Sequence, residues 1–180
     1  MAGVVSPTGD IGPVEVWWNS VKIGETKGDT IFRCRTTSRP VMEDALGVAP
    51  VDYVQMGMEE CSVIAPLTRM SIAQLADIIP GATTSGTGST ATLRVNSNVG
   101  LDTAASAKQL ILKRIYNNAV ATDETDWLSL PLAYPVDIDM EVQYSVGENQ
   151  RVFPVTFQAF PATVLTTAGV YWGIGDLSAD

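Results

Sequence analysis

Residues 136–160 read VDIDMEVQYSVGENQRVFPVTFQAF, and this stretch decides the fold class. From Val136 to Val146 every even position is apolar (Val136, Ile138, Met140, Val142, Tyr144, Val146) and every odd one is polar (Asp137, Asp139, Glu141, Gln143, Ser145). Successive side chains of a strand point to opposite faces, so a period of two predicts a strand with one face in the core and one in water. Gly147, Glu148, Asn149 and Gln150 are turn formers, after which Arg151 to Phe160 alternates again with Phe153, Val155, Phe157 and Ala159 on one side. The two runs are expected to pair as a hairpin.

The segments upstream carry the same signature in shorter pieces. Val14–Trp18, Lys22–Ile23, Thr30–Thr37 and Lys108–Ile115 are rich in Val, Ile, Thr and aromatic residues. Val51–Met58 and Glu60–Thr68 suggest a further extended pair, reached through SRPVMEDALGVAP, a long connection for a compact domain. That connection is either an ordered hairpin leaving the body or a loop that orders on contact with another molecule. One helix stands out over 71–79: Ser71 can cap the first turn, Gln74 completes a capping box, and Pro80–Gly81 stops the run. Ile72, Leu75, Ala76 and Ile79 would form its apolar face. The following stretch, 81–92, is almost entirely Gly, Ser and Thr and reads as a flexible surface loop.

With 180 residues, the chain is expected to form a single domain, 1–180, that buries roughly 70% of its unfolded surface. The apolar fraction of 46% and charged fraction of 17% are those of a globular protein. Eleven Lys and Arg against twenty Asp and Glu leave a net charge of −9, which repels phosphates and opposes nucleic-acid binding. The charge is lopsided. Residues 1–115 hold ten bases and eleven acids, residues 116–180 one base and nine acids.

No histidine is present, so Ser-His-Asp, Cys-His and His-metal chemistry are excluded. Two cysteines, Cys34 and Cys61, cannot make a disulfide-rich scaffold and are expected to be buried free thiols in a reducing compartment. The opening MAGVVSPTGDIG lacks a basic region and an apolar run, so neither a leader nor a membrane span is expected.

Asp137, Asp139 and Glu141 are the strongest chemical candidates, because alternate strand residues lie about 7 Å apart on one face, a spacing that suits paired glycosidase carboxylates. D-x-D-x-E also resembles the end of a chitinase-type motif. However, Tyr134 stands where that motif needs its first aspartate, and its barrel needs about 250 residues. A solvated strand face fits the alternation better, and carboxylates in a row on a flat strand do not converge on a cation. No catalytic residue, metal or cofactor is expected. Trp17 and Trp18 occupy opposite faces of one strand, so at least one is a candidate interface aromatic or sugar platform.

Several elements together resemble the tail tube proteins of bacteriophages. They are N-x-V-x-I-G (Asn19, Val21, Ile23, Gly24), a loop with Asp44, Gly47 and Pro50, an extended stretch with Gly57 and P-L-T, a capped helix ending in P-G-A, and the C-terminal RVFPVTFQA. The resemblance covers about two thirds of the chain. It implies an antiparallel β-sandwich with one flanking helix, assembled as hexameric rings whose inner strands close a common β-barrel, the rings stacking into a tube that conducts DNA. It also implies tape-measure and terminator proteins as partners and the virion, assembled in the host cytoplasm, as the location. By position, residues 37–53 would be the inter-ring arm, with Arg39, Glu43, Asp44, Gly47 and Pro50 as contacts. Asp137, Asp139 and Glu141 would face the lumen. Other virion parts (a tail terminator, neck or capsid decoration protein) and a carbohydrate-binding β-sandwich using Trp17 or Trp18 are the alternatives.

Overall fold

The computed structural model describes residues 13–42, 50–68, 70–97, 99–116, 119–138, 152–163, 168–175 and 177. In chain order the elements are β1 (Val14–Trp18), β2 (Val21–Thr26), β3 (Ile31–Met42), β4 (Pro50–Thr68), α1 (Ile72–Ile78), β5 (Ala82–Ser85), β6 (Thr92–Val95), β7 (Lys108–Tyr116), β8 (Ala119–Val120), β9 (Leu128–Ile138), β10 (Phe153–Phe160) and β11 (Gly173–Ile174). Among the described residues the chain is mainly β, with antiparallel pairing and one α-helix.

β1 and β2 are joined by Asn19 and Ser20, both at positive φ (53° and 62°), the backbone that a two-residue turn needs to match strand twist. Asn tolerates this conformation better than most residues. The sheet runs β9-β10-β4-β2-β1-β7, and β7 pairs again with β9, so six strands close on one another as a ring. Val16, Ile23, Val63, Leu67, Leu110, Leu130, Val155 and Phe157 fill its interior with no exposed surface. A β-sandwich is consistent with this arrangement, in which facing walls interdigitate across one core.

On β10 the expected inward set, Phe153, Val155, Phe157 and Ala159, is buried, and β10 pairs with β9 as the hairpin reading requires. One part of that reading fails. Val136 is 46% exposed because a bulge opposite Thr156 and Phe157 breaks the alternation between Asp137 and Pro135. An inserted residue flips the side chains on one side of it, which period counting cannot register.

Three further expectations are corrected. Residues 50–68 form one 19-residue strand rather than two, since Gly57 at φ 111° lies among bulges that bend the strand without reversing it. Residues 81–92 are not a loop throughout: β5 pairs with β6 as a separate hairpin, Thr84 opposite Leu93, closed by a short turn that Gly86 permits at φ 80°. Helix α1 carries the expected capping box, with Gln74 N–H donating to Ser71 Oγ at 3.2 Å and Ser71 N–H to Gln74 Oε1 at 2.7 Å. Of its expected apolar face, Ile79 is buried and Leu75 and Ala76 are half-buried, but Ile72 is 39% exposed and Ile78, outside that face, is fully buried. The cap of so short a helix contributes about 1 kcal/mol, and packing on β2 and the β5–β6 hairpin holds the rest.

Candidate functional site: an unpaired hairpin

β3 and β4 pair from Ile31 opposite Ile64 to Met42 opposite Pro50. β10 covers β4 only between Ser62 and Leu67. Where that coverage stops, Gln158 Nε2 donates to the Cys61 carbonyl at 3.1 Å, capping the last acceptor before the strand leaves the body. Beyond it, β3 from Arg35 and β4 back to Glu60 are a two-stranded ribbon, with no backbone partner on either outer edge among the described residues.

The ribbon is dressed in apolar side chains. Tyr53 is 60% exposed, Met56 62%, Val54 51% and Met42 51%. Arg39, Pro40, Val41, Met42, Val54 and Met56 line an open groove of about 530 Å³ along it. An ion pair on it, Arg35 Nε to Glu59 Oε2 at 3.2 Å, lies in water and adds little. Of the arm candidates, Arg39 pairs opposite Val54 and Pro50 opposite Met42. Glu43, Asp44 and Gly47 lie outside the described residues.

The root of the ribbon is a sulfur and aromatic cluster. Cys34 sits directly opposite Cys61. Cys34 Sγ lies 2.9 Å from Met58 Sδ and accepts from Trp172 Nε1–H at 3.1 Å, and Trp172 meets Phe32 edge to face at 5.1 Å. Cys61 is 1% exposed, and burial, with Cys34 beside it, pushes its thiol up to about 12. Cys34, expected to be buried, is half-buried.

Among the lumen candidates, Asp137 is exposed on β9 opposite Thr156. Residues 134–138 have β10 on one edge and no partner on the other among the described residues. Asp139 and Glu141 lie outside the described residues. Asp137 and the ribbon belong to strands that have β10 between them, β9 on one side of it and β4 on the other.

The tryptophans divide as their alternation requires. Trp18 turns inward, donating Nε1–H to the Ala133 carbonyl at 3.1 Å and meeting Tyr134 edge to face. Trp17 lies on the other face, where Lys113 Nζ sits 4.3 Å from its ring and 3.7 Å from that of Trp127. The ammonium of Lys113 thus lies over one face of the Trp17 ring. Beside it, Glu15 is 7% exposed and bound by Lys22 Nζ and by Trp17 Nε1–H, the latter at 3.1 Å. Glu15, and with it Glu25 at 3.1 Å, holds Lys22 above the usual lysine range.

Sequence reading missed Lys113, Trp127 and the Cys34–Met58–Trp172 cluster. Register brings Lys113 beside Trp17 from 96 positions away, and no local pattern announces such a neighbour. Among the described residues no three Cys, Asp or Glu converge as a metal-binding group, and no helix is long and apolar enough to cross a membrane. No protein-family model matches the chain, and no curated protein matches it in sequence.

Proposed function

We propose that this chain is a structural virion protein, the self-assembling subunit of a bacteriophage tail tube, and not an enzyme. The observation that carries the reading is the bare β3–β4 ribbon. An isolated two-stranded hairpin is marginal in water, and unpaired edges with exposed apolar residues are liabilities that monomers avoid. Such a ribbon is explained if neighbouring copies cover it, as the arm of tail tube proteins is covered by the next ring.

The electrostatics support the same use. A conduit for DNA must not hold phosphates, and each Lys or Arg on its wall adds a salt-dependent attraction. A wall of Asp137, Asp139 and Glu141 repels the cargo instead. Carboxylates about 7 Å apart in water repel one another by only about 0.6 kcal/mol before screening, which interface burial easily exceeds. The open edge of residues 134–138 offers a place for a neighbour's strand to continue the wall.

Negative-stain microscopy of the concentrated protein tests the proposal. Hexameric rings or tubes with a narrow channel are expected. A protein that stays monomeric at every concentration and salt condition refutes it, and rings that never stack point to a terminator or neck protein.

A further inference from the structure

We propose that Cys34 and Cys61 are an oxidisable dithiol that closes to a cross-strand disulfide at the root of the β3–β4 ribbon. The two residues are direct register partners, within the regular pairing that precedes the first bulge beyond Arg35. Directly opposed residues of an antiparallel pair project from the same face, with Cα atoms about 4.5 or 5.5 Å apart depending on the site. Both separations fall inside the roughly 4.4–6.8 Å window of natural disulfides, so closure needs no backbone rearrangement.

The surroundings assign an order to the two sulfurs. Cys34 is half-buried and so within reach of a small reagent, and the indole N–H of Trp172 donates to its Sγ at 3.1 Å. Cys61 is sealed in the core cluster with its thiol held at about 12. Cys34 is therefore the entry thiol and Cys61 the resolving one.

The oxidant is a small-molecule disulfide. The Cys34 thiolate attacks one of its sulfurs, the disulfide bond breaks, and the expelled thiolate takes up the proton that Cys34 released. Cys61 then gives up its proton and attacks the Cys34 sulfur of the mixed disulfide, expelling the second small thiolate, which is protonated in turn. Two protein thiols become one cystine, and the oxidant gains two electrons as two thiols. The second step is slow, because little Cys61 is thiolate at neutral pH.

The full-length protein is incubated at mildly alkaline pH with oxidised glutathione, or with dithiothreitol as control, then denatured, alkylated with iodoacetamide and weighed by mass spectrometry. Glutathione disulfide spares Met58, which a peroxide would oxidise as well. The expected product is lighter than the reduced chain by two hydrogens, carries no alkyl group, and yields on non-reduced digestion a peptide pair joining Cys34 to Cys61. Cys61→Ser is expected to retain glutathione on Cys34, and Cys34→Ser to take up none. Two alkylatable thiols after prolonged oxidation overturn the proposal, as does a persistent glutathione adduct on the unsubstituted chain or a disulfide between two chains. Closure is intramolecular, so a strictly monomeric protein tests it equally and its outcome is separate from that of ring assembly.

Discussion

Replacing Tyr53, Val54 and Met56 together by serine separates folding from assembly. These side chains are 60%, 51% and 62% exposed, so what remains to be buried is about half to three fifths of each. Full burial of a Val or Met side chain is worth about 1.5–3 kcal/mol, which leaves roughly 1–1.5 kcal/mol for each at an interface. Three fifths of a tyrosine is about 90–150 Å², or about 2–4 kcal/mol at about 25 cal/mol per Å². The ceiling is thus near 7 kcal/mol per ribbon, and even a contact realising about 30% of it weakens association by about 30-fold, since about 1.4 kcal/mol is a factor of ten. The monomer loses far less, because exposed substitutions usually stay within about 0.5 kcal/mol each. Sedimentation velocity across a concentration series reads the association midpoint, and urea unfolding of dilute protein reads the fold. A midpoint unmoved in the triple variant refutes the role of the ribbon. An assembly defect matched by an equal loss of monomer stability refutes the separation.

Phe157→Ala removes the largest fully buried side chain among the described residues and is expected to cost about 3–5 kcal/mol, lowering the urea midpoint at constant slope. Gly86→Ala places a Cβ 2.4 Å from the Thr90 carbonyl oxygen at φ +80°. It is expected to cost about 1–3 kcal/mol and to speed amide exchange in β5 and β6 while leaving the six-stranded ring protected. Because the carboxylate of Glu15 raises Lys22 above 10.5, the pair's contribution is complete below that pH and fades as pH climbs through the raised value. Alkaline unfolding curves should show this loss in the unsubstituted protein and lack it in Lys22→Met. An identical pH profile in both would remove the pair from the stability of β1 and β2.

Short-range chemistry was legible in the sequence. The Ser71–Gln74 cap, the β10 alternation and the strand at β7 depend on residues a few positions apart, whose backbone consequences are local. The errors share another origin. The bulge that exposes Val136 arises from pairing with β10, and the rotation of α1 onto Ile78 arises from what it packs against. The β5–β6 hairpin drew no strand reading because Gly, Ser and Thr carry little hydrophobic pattern, although backbone pairing needs none. At the candidate site, the length of the connection over 38–50 already suggested a projecting hairpin or a loop, but the two edges unpaired among the described residues and the sulfur cluster at the root depend on where β10 stops along β4.

By itself the sequence determined that this is a mainly β chain with one capped helix, strongly acidic, without histidine chemistry and with unequal charge between its two parts. Periodicity, capping and composition act within a few residues and need no partner. Only the tertiary structure decided that six strands close into a ring, that Lys113 lies between two tryptophans, and that Cys34 faces Cys61. Those are statements of register. Register is settled by the simultaneous burial of side chains far apart in sequence, because slipping one strand by a single residue would turn its whole apolar face to water.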